Sequence, residues 1–163
     1  MRSGRFALLT LVILALVVVA TPAMAQKKPI QLSLFSPIQI VPETYSISGI
    51  RLSLIYGKNT SVSGLDWGLV TQTTSGMSKG VQLGLVALAD ANFTGFQYNF
   101  VNSVRGNFEG FQWGFVNYAK NANGFQLGFV NYAGRLKGLQ IGLVNIIKQG
   151  GQFPIFPIVN WSF

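Results

Sequence analysis

The stretch Gly124-Phe125-Gln126-Leu127-Gly128-Phe129-Val130-Asn131 decides how this chain is read. The same phrase stands at Gly110-Phe111-Gln112-Trp113-Gly114-Phe115-Val116-Asn117 and at Gly138-Leu139-Gln140-Ile141-Gly142-Leu143-Val144-Asn145. Working outward, clear units begin at Gly64, Gly80, Gly95, Gly110, Gly124 and Gly138, spaced by 16, 15, 15, 14 and 14 residues. Weaker copies begin at Pro29, Gly49 and Phe153, which makes about nine units with the degraded ones at the two ends. An end unit of a repeat array has a neighbour on one side only, so atypical ends are expected.

Within a unit the side chains alternate. Phe125, Leu127 and Phe129 fall on one face, and Gln126, Gly128 and Val130 fall on the other. Alternation with aromatic and β-branched content predicts a strand. Two glycines per unit would cost a helix roughly 2 kcal/mol relative to alanine. Polar or Gly-rich connectors, such as residues 103–109 and 120–123, have turn compositions. The chain reads as all-β.

Two architectures fit a repeat of 14–16 residues. In an antiparallel meander, able to close into a small barrel, each unit is one strand and a turn. In a short β-solenoid, each unit is one coil stacked on the next. The face chemistry favours the meander or barrel, because three bulky side chains per unit overfill a narrow coil, whereas a barrel turns them to lipid. The closing row Phe153, Ile155, Pro157, Val159, Trp161 and Phe163 resembles the C-terminal strand of outer-membrane barrels. An odd count of nine units favours the solenoid, as do Pro37, Pro42, Pro154 and Pro157 near the two ends, where proline protects open edges.

Residues 1–25 read as an export signal. Arg2 and Arg5 precede an apolar run from Phe6 to Ala20, and Ala23-Met24-Ala25 is a small-x-small cleavage site. Residues 26–163 then form a single β-repeat domain. The chain carries 12 Lys plus Arg and 4 Asp plus Glu; losing Arg2 and Arg5 leaves 10 against 4, or +6. Charged residues make up only 10% of the chain, well under the usual quarter of a soluble domain. Much of the surface is therefore expected to face something other than water. The absence of Cys excludes disulfides, thiolate metal sites and a lipidated cysteine anchor. The absence of His removes the commonest general base and metal ligand.

Aligned units produce two amide columns. One holds Gln82, Gln97, Gln112, Gln126 and Gln140, with Gln31 earlier and Asp66 in the equivalent place. The other holds Asn102, Asn117, Asn131 and Asn145, with Asn160 in the last unit and Thr71 and Ala87 in earlier ones. Such a strip can line a lumen or groove for a neutral polar ligand, or the amides can bond to one another and to backbone. The second reading is preferred, because an amide present in every unit follows from the repeat itself. A solenoid would also gather Lys79, Arg105, Lys120, Arg135, Lys137 and Lys148 into one basic stripe. The Gly-x-x-x-Gly spacing is no phosphate cradle, for no helix N-terminus or Lys-Ser/Thr pair follows it. The four acids, Glu43, Asp66, Asp90 and Glu109, fall in different units, and nothing pairs a nucleophile with a base. No catalytic, cofactor or metal residue is assigned, and nucleic acid is not an expected partner.

The phrase G-[FL]-Q-x-G-[FL]-V-N, with Asn-Tyr-Ala after Val116 and Val130, resembles the units of bacterial surface-repeat proteins over Pro29 to Phe163. The resemblance implies an exported chain with a variable number of units and a Pro- and Phe-rich tail, and it carries no activity. Together these readings lead to a non-enzymatic envelope protein with a structural or interaction role at the outer membrane, its partners being envelope components. The alternative is a secreted or periplasmic solenoid that binds a polar or anionic ligand.

Overall fold

The computed structural model describes residues 26–163, so the expected leader lies outside the described residues. The strands are β1 (Lys27–Phe35), β2 (Ile38–Gln39), β3 (Ser46–Asn59), β4 (Val62–Thr73), β5 (Met77–Ala89), β6 (Asn92–Gln149) and β7 (Ile155–Ser162). β6 is unusually long because it winds through several units without a break. All seven belong to one sheet in the order β2-β1-β3-β4-β5-β6-β7. The successive pairs β1–β3, β3–β4, β4–β5 and β5–β6 are parallel.

Their register is the repeat itself. Gly64 lies opposite Gly80, Asp66 opposite Gln82 and Trp67 opposite Leu83, and one unit later Gly80 lies opposite Gly95 and Gln82 opposite Gln97. Parallel neighbours one repeat apart mean that each unit is a coil laid on the previous one. The chain is an all-β solenoid. The antiparallel meander or barrel is therefore not its architecture, and the reason is the direction of the bulky side chains. Phe125, Phe129, Trp113 and Phe115 are exposed, whereas Gln126, Gln112 and Asn117 are buried. A coil too narrow for three large side chains turns them outward and keeps the amides, glycines and alanines inside.

The first glycine of each unit sets the bend. Gly124 has φ +132°, and a Cβ there would stand 2.1 Å from the carbonyl oxygen of Gly110 in the coil below. Only glycine fits both the dihedral and the approach. The same relation continues down the stack to Gly49, whose missing Cβ would meet Pro29 O. The second glycine makes a like approach to the coil below, a Cβ on Gly128 standing 2.2 Å from Gly114 O, and has a further task. A Cβ on Gly128 would lie 2.6 Å from Asn117 Nδ2, so its absence clears the space that the asparagine amide occupies.

The interior divides in two. Amides fill one part, and Ala89, Phe93, Val104, Phe108, Ala119, Ala122, Ala133, Leu136 and Ile147 form a continuous apolar cluster in the other. Phe93 and Phe108 stack there at 6.4 Å. A separate cluster of Val41, Ile47 and Val62 closes the N-terminal end. Both ends of the stack reverse direction, since β2 pairs antiparallel with β1 and β7 antiparallel with β6. The unit expected at Phe153 is thus no coil. It folds back, so Asn160 lies opposite Gln140 instead of continuing the asparagine column from Asn145.

Candidate functional site

The two columns read from the sequence are two hydrogen-bonded ladders inside the coil stack. In the first, Gln97 Nε2 donates to Gln82 Oε1 at 2.6 Å, Gln112 to Gln97 at 2.8 Å, Gln126 to Gln112 at 2.7 Å and Gln140 to Gln126 at 2.7 Å. Parallel strands stack about 4.8 Å apart, which lets identical amides bond from one coil to the next. Gln112 and Gln126 also reach across the interior, donating to the backbone oxygens of Tyr118 and Tyr132. In the second ladder, Asn102 Nδ2 donates to Asn117 Oδ1, Asn117 to Asn131 and Asn131 to Asn145, each at 2.8 Å. The other N–H of each amide goes to backbone: Asn102 to Trp113 O, Asn117 to Leu127 O and Asn131 to Ile141 O. Donors of the glutamine ladder point to the N-terminal end of the stack, and those of the asparagine ladder point to the C-terminal end.

Each ladder needs a terminus. Below Gln82 stands Asp66, which accepts from Gln82 Nε2 at 2.8 Å. Asp66 also accepts from Arg51 Nε and Nη2, both at 2.7 Å. Arg51 is fully buried and balances the carboxylate that ends the row. The asparagine ladder starts at Asn102, because Ala87 in the coil below has nothing to donate. Asn99 takes that part, donating to Asn102 Oδ1 at 2.7 Å from a place where the other clear units carry glycine. At the far end, Asn145 donates to Gly142 O and Phe156 O.

Of the two readings of these columns, the open polar strip is the one that the structure does not show. Gln82, Gln97, Gln112, Gln126, Gln140, Asn102, Asn117, Asn131, Asn145 and Asp66 are all buried, and their side chains bond to one another and to backbone. The single basic stripe is corrected as well. Lys120, Arg135 and Lys148 share a shallow recess with Asn121 and Gln149. Arg105 is paired with Asp90 at 3.1 Å, whereas Lys79 lies in another column, between Ser63 and Thr94. At the N-terminal hairpin, hydrogen bonds from the Ser36 hydroxyl and then from Lys58 hold the Glu43 carboxyl below the usual carboxylate range. Burial pushes the Tyr56 phenol above its ordinary value.

The surface that stands open is the outward half of the phrase. Positions two, four and six of every coil are apolar, from Ile30, Leu32 and Leu34 at one end to Leu139, Ile141 and Leu143 at the other. Most are 36–57% exposed. The sixth position forms a regular stack, with Phe100–Phe115 at 4.9 Å and 6° and Phe115–Phe129 at 4.7 Å and 9°. In the fourth, Tyr98 and Trp113 pack at 4.9 Å. With seven steps of about 4.8 Å and four residues of about 3.3 Å, the face measures about 34 Å by about 13 Å. Isolated exposed apolar residues are ordinary, but a contiguous face of this extent marks an interaction surface. The alternation in the sequence signalled this face; assigning it to a barrel wall concealed that it stands open. Compared with known proteins, the chain matches no family model, no curated protein and no solved structure.

Proposed function

We propose that the protein is a non-enzymatic structural or interaction element of the cell envelope, exported and retained at the outer membrane or cell surface. One observation carries this reading: a rigid, regular scaffold presents one long apolar face that water does not favour. The disposition of the acids supports a non-catalytic role. Glu43 pairs with Lys58, Asp66 with Arg51 and Asp90 with Arg105, so each of these three carboxylates is already engaged by a cation. The envelope assignment is tested by fractionating cells and washing the outer-membrane fraction with carbonate. The chain is expected to sediment with the envelope; recovery in the soluble periplasm or the medium would overturn the assignment.

A second reading, a periplasmic or secreted solenoid that holds an anionic ligand, is favoured by the recess between Lys120, Arg135 and Lys148. It predicts release into the soluble fraction, together with loss of anion-matrix retention in a Lys120→Glu, Arg135→Glu variant. The buried amide ladders lend it no support.

A further inference from the structure

We infer that the apolar face is covered by a second copy of this chain, the two solenoids packed face to face. The inference goes beyond the envelope reading and rests on the face alone. Its area comes first. About two dozen outward side chains, most near half exposed and of roughly 200 Å² each, amount to on the order of 2,000 Å² per copy. A stable protein interface needs about 800 Å² per partner, and the larger apolar ones belong to obligate dimers. Covering even half of this face exceeds the common requirement.

The chemistry of the face narrows the occupant. In the Phe100–Phe115–Phe129 stack the rings lie parallel to one another along the solenoid, so their flat sides are engaged within the row. What reaches outward from this row is ring edge, while in the row beside it Tyr98 and Trp113 are tilted by 58°. Sugars and nucleobases stack on ring faces and find none free in the phenylalanine row. The outer surface is instead a set of ridges at the strand spacing, and a second copy carries ridges of the same pitch that can seat between them, as in paired sheets.

Charge and the ends agree with this partner. Gln112 reaches across the interior to Tyr118 O, which puts the Tyr118–Lys120 segment on the side of the core away from the face. Face-to-face pairing therefore leaves Lys120 and its basic neighbours in water, with the core of each copy between them and the interface. Growth along the axis is opposed at both ends by the reversed strands β2 and β7 and by Pro37, Pro42, Pro154 and Pro157. Lateral pairing through one face closes at two copies, since each copy, among its described residues, has one face of this extent to spend.

The test is light scattering on the processed, full chain purified without lipid, with two charged variants of the face, Trp113→Lys and Leu85→Lys. The wild type is expected at twice the chain mass, and each variant at the single mass with unchanged β circular dichroism. Since the chain has no cysteine, a spin label at Tyr98→Cys gives a second reading. It should show a short distance between copies, and a label at Lys120→Cys a much longer one. A monomeric wild type overturns the inference, as does a dimer whose Tyr98→Cys labels are far apart or whose mass both folded variants preserve. A monomer that floats with phospholipid vesicles would give the face to the membrane instead. The envelope reading is scored separately by fractionation, so either can fail without the other.

Discussion

At the scale of single residues, the informative position is Asp66, where the glutamine column changes chemistry. Replacing it by Gln makes the column uniform, yet Arg51 then loses both carboxylate bonds while remaining fully buried. Breaking a buried pair from one side costs about 3–5 kcal/mol. Asp66→Gln is therefore expected to lower the unfolding free energy by about that amount. The double variant Arg51→Gln, Asp66→Gln should recover most of the loss, because it removes both charges and extends the amide row toward Gln31. Denaturant unfolding of the two single variants and the double closes the cycle. A double variant no more stable than Asp66→Gln alone would show that Arg51 and Asp66 do not act as a pair. Asp66 was visible in the sequence as an exception to the column, but its partner was not. Arg51 occupies the same column one coil earlier, and only the parallel register brings that coil alongside.

At the scale of the element, each coil depends on its first glycine. Gly124→Ala asks a Cβ to share space with Gly110 O and imposes φ +132° on an alanine. A loss of at least about 2 kcal/mol in denaturant unfolding is expected from the strain alone. By contrast, Gly76 has a milder positive φ of +75° in a connector with nothing within 4 Å of an added Cβ, so Gly76→Ala should cost clearly less. Equal losses would mean that neither the contact with Gly110 O nor the more extended positive φ of Gly124 sets the requirement. The strand character of the coil and its two-faced alternation were legible in residues 124–131. Which face is buried was not. Period two separates Phe125 and Phe129 from Gln126 without saying which set is inside, and the usual preference for buried phenylalanine points the wrong way here. The interior of a short coil is limited by width, and amides that bond along the axis meet that limit where rings do not. The last element shows a second limit of sequence reading. Phe153 follows Gly138 at the pitch of the repeat, but β7 runs the other way, since a reversed strand closes the end that another parallel coil would leave open.

At the scale of the whole molecule, neighbouring coils make nearly all the contacts, so the stack should tolerate a change of length. Excising residues 124–137 joins Asn123 to Gly138 and removes one whole 14-residue coil without disturbing the register of those that remain. The shortened chain is expected to fold with the same circular dichroism per residue and a lower melting temperature, since one coil-to-coil interface is lost. Failure to fold would mean that the middle coils are not interchangeable. Interchangeability also has an electrostatic side, which follows from the opposed directions of the two amide ladders. In an α-helix every peptide dipole points the same way, and the sum appears as partial charge at the two ends. A solenoid with one oriented row of side-chain amides would polarise in the same manner, and each added coil would lengthen the dipole. Here every coil from Gln112 and Asn117 to Gln140 and Asn145 contributes one amide to each row, and the two point in opposite senses. Their moments offset coil by coil, so in this respect the stack is non-polar at any length, and the number of coils is free to be set by packing and by the partner surface.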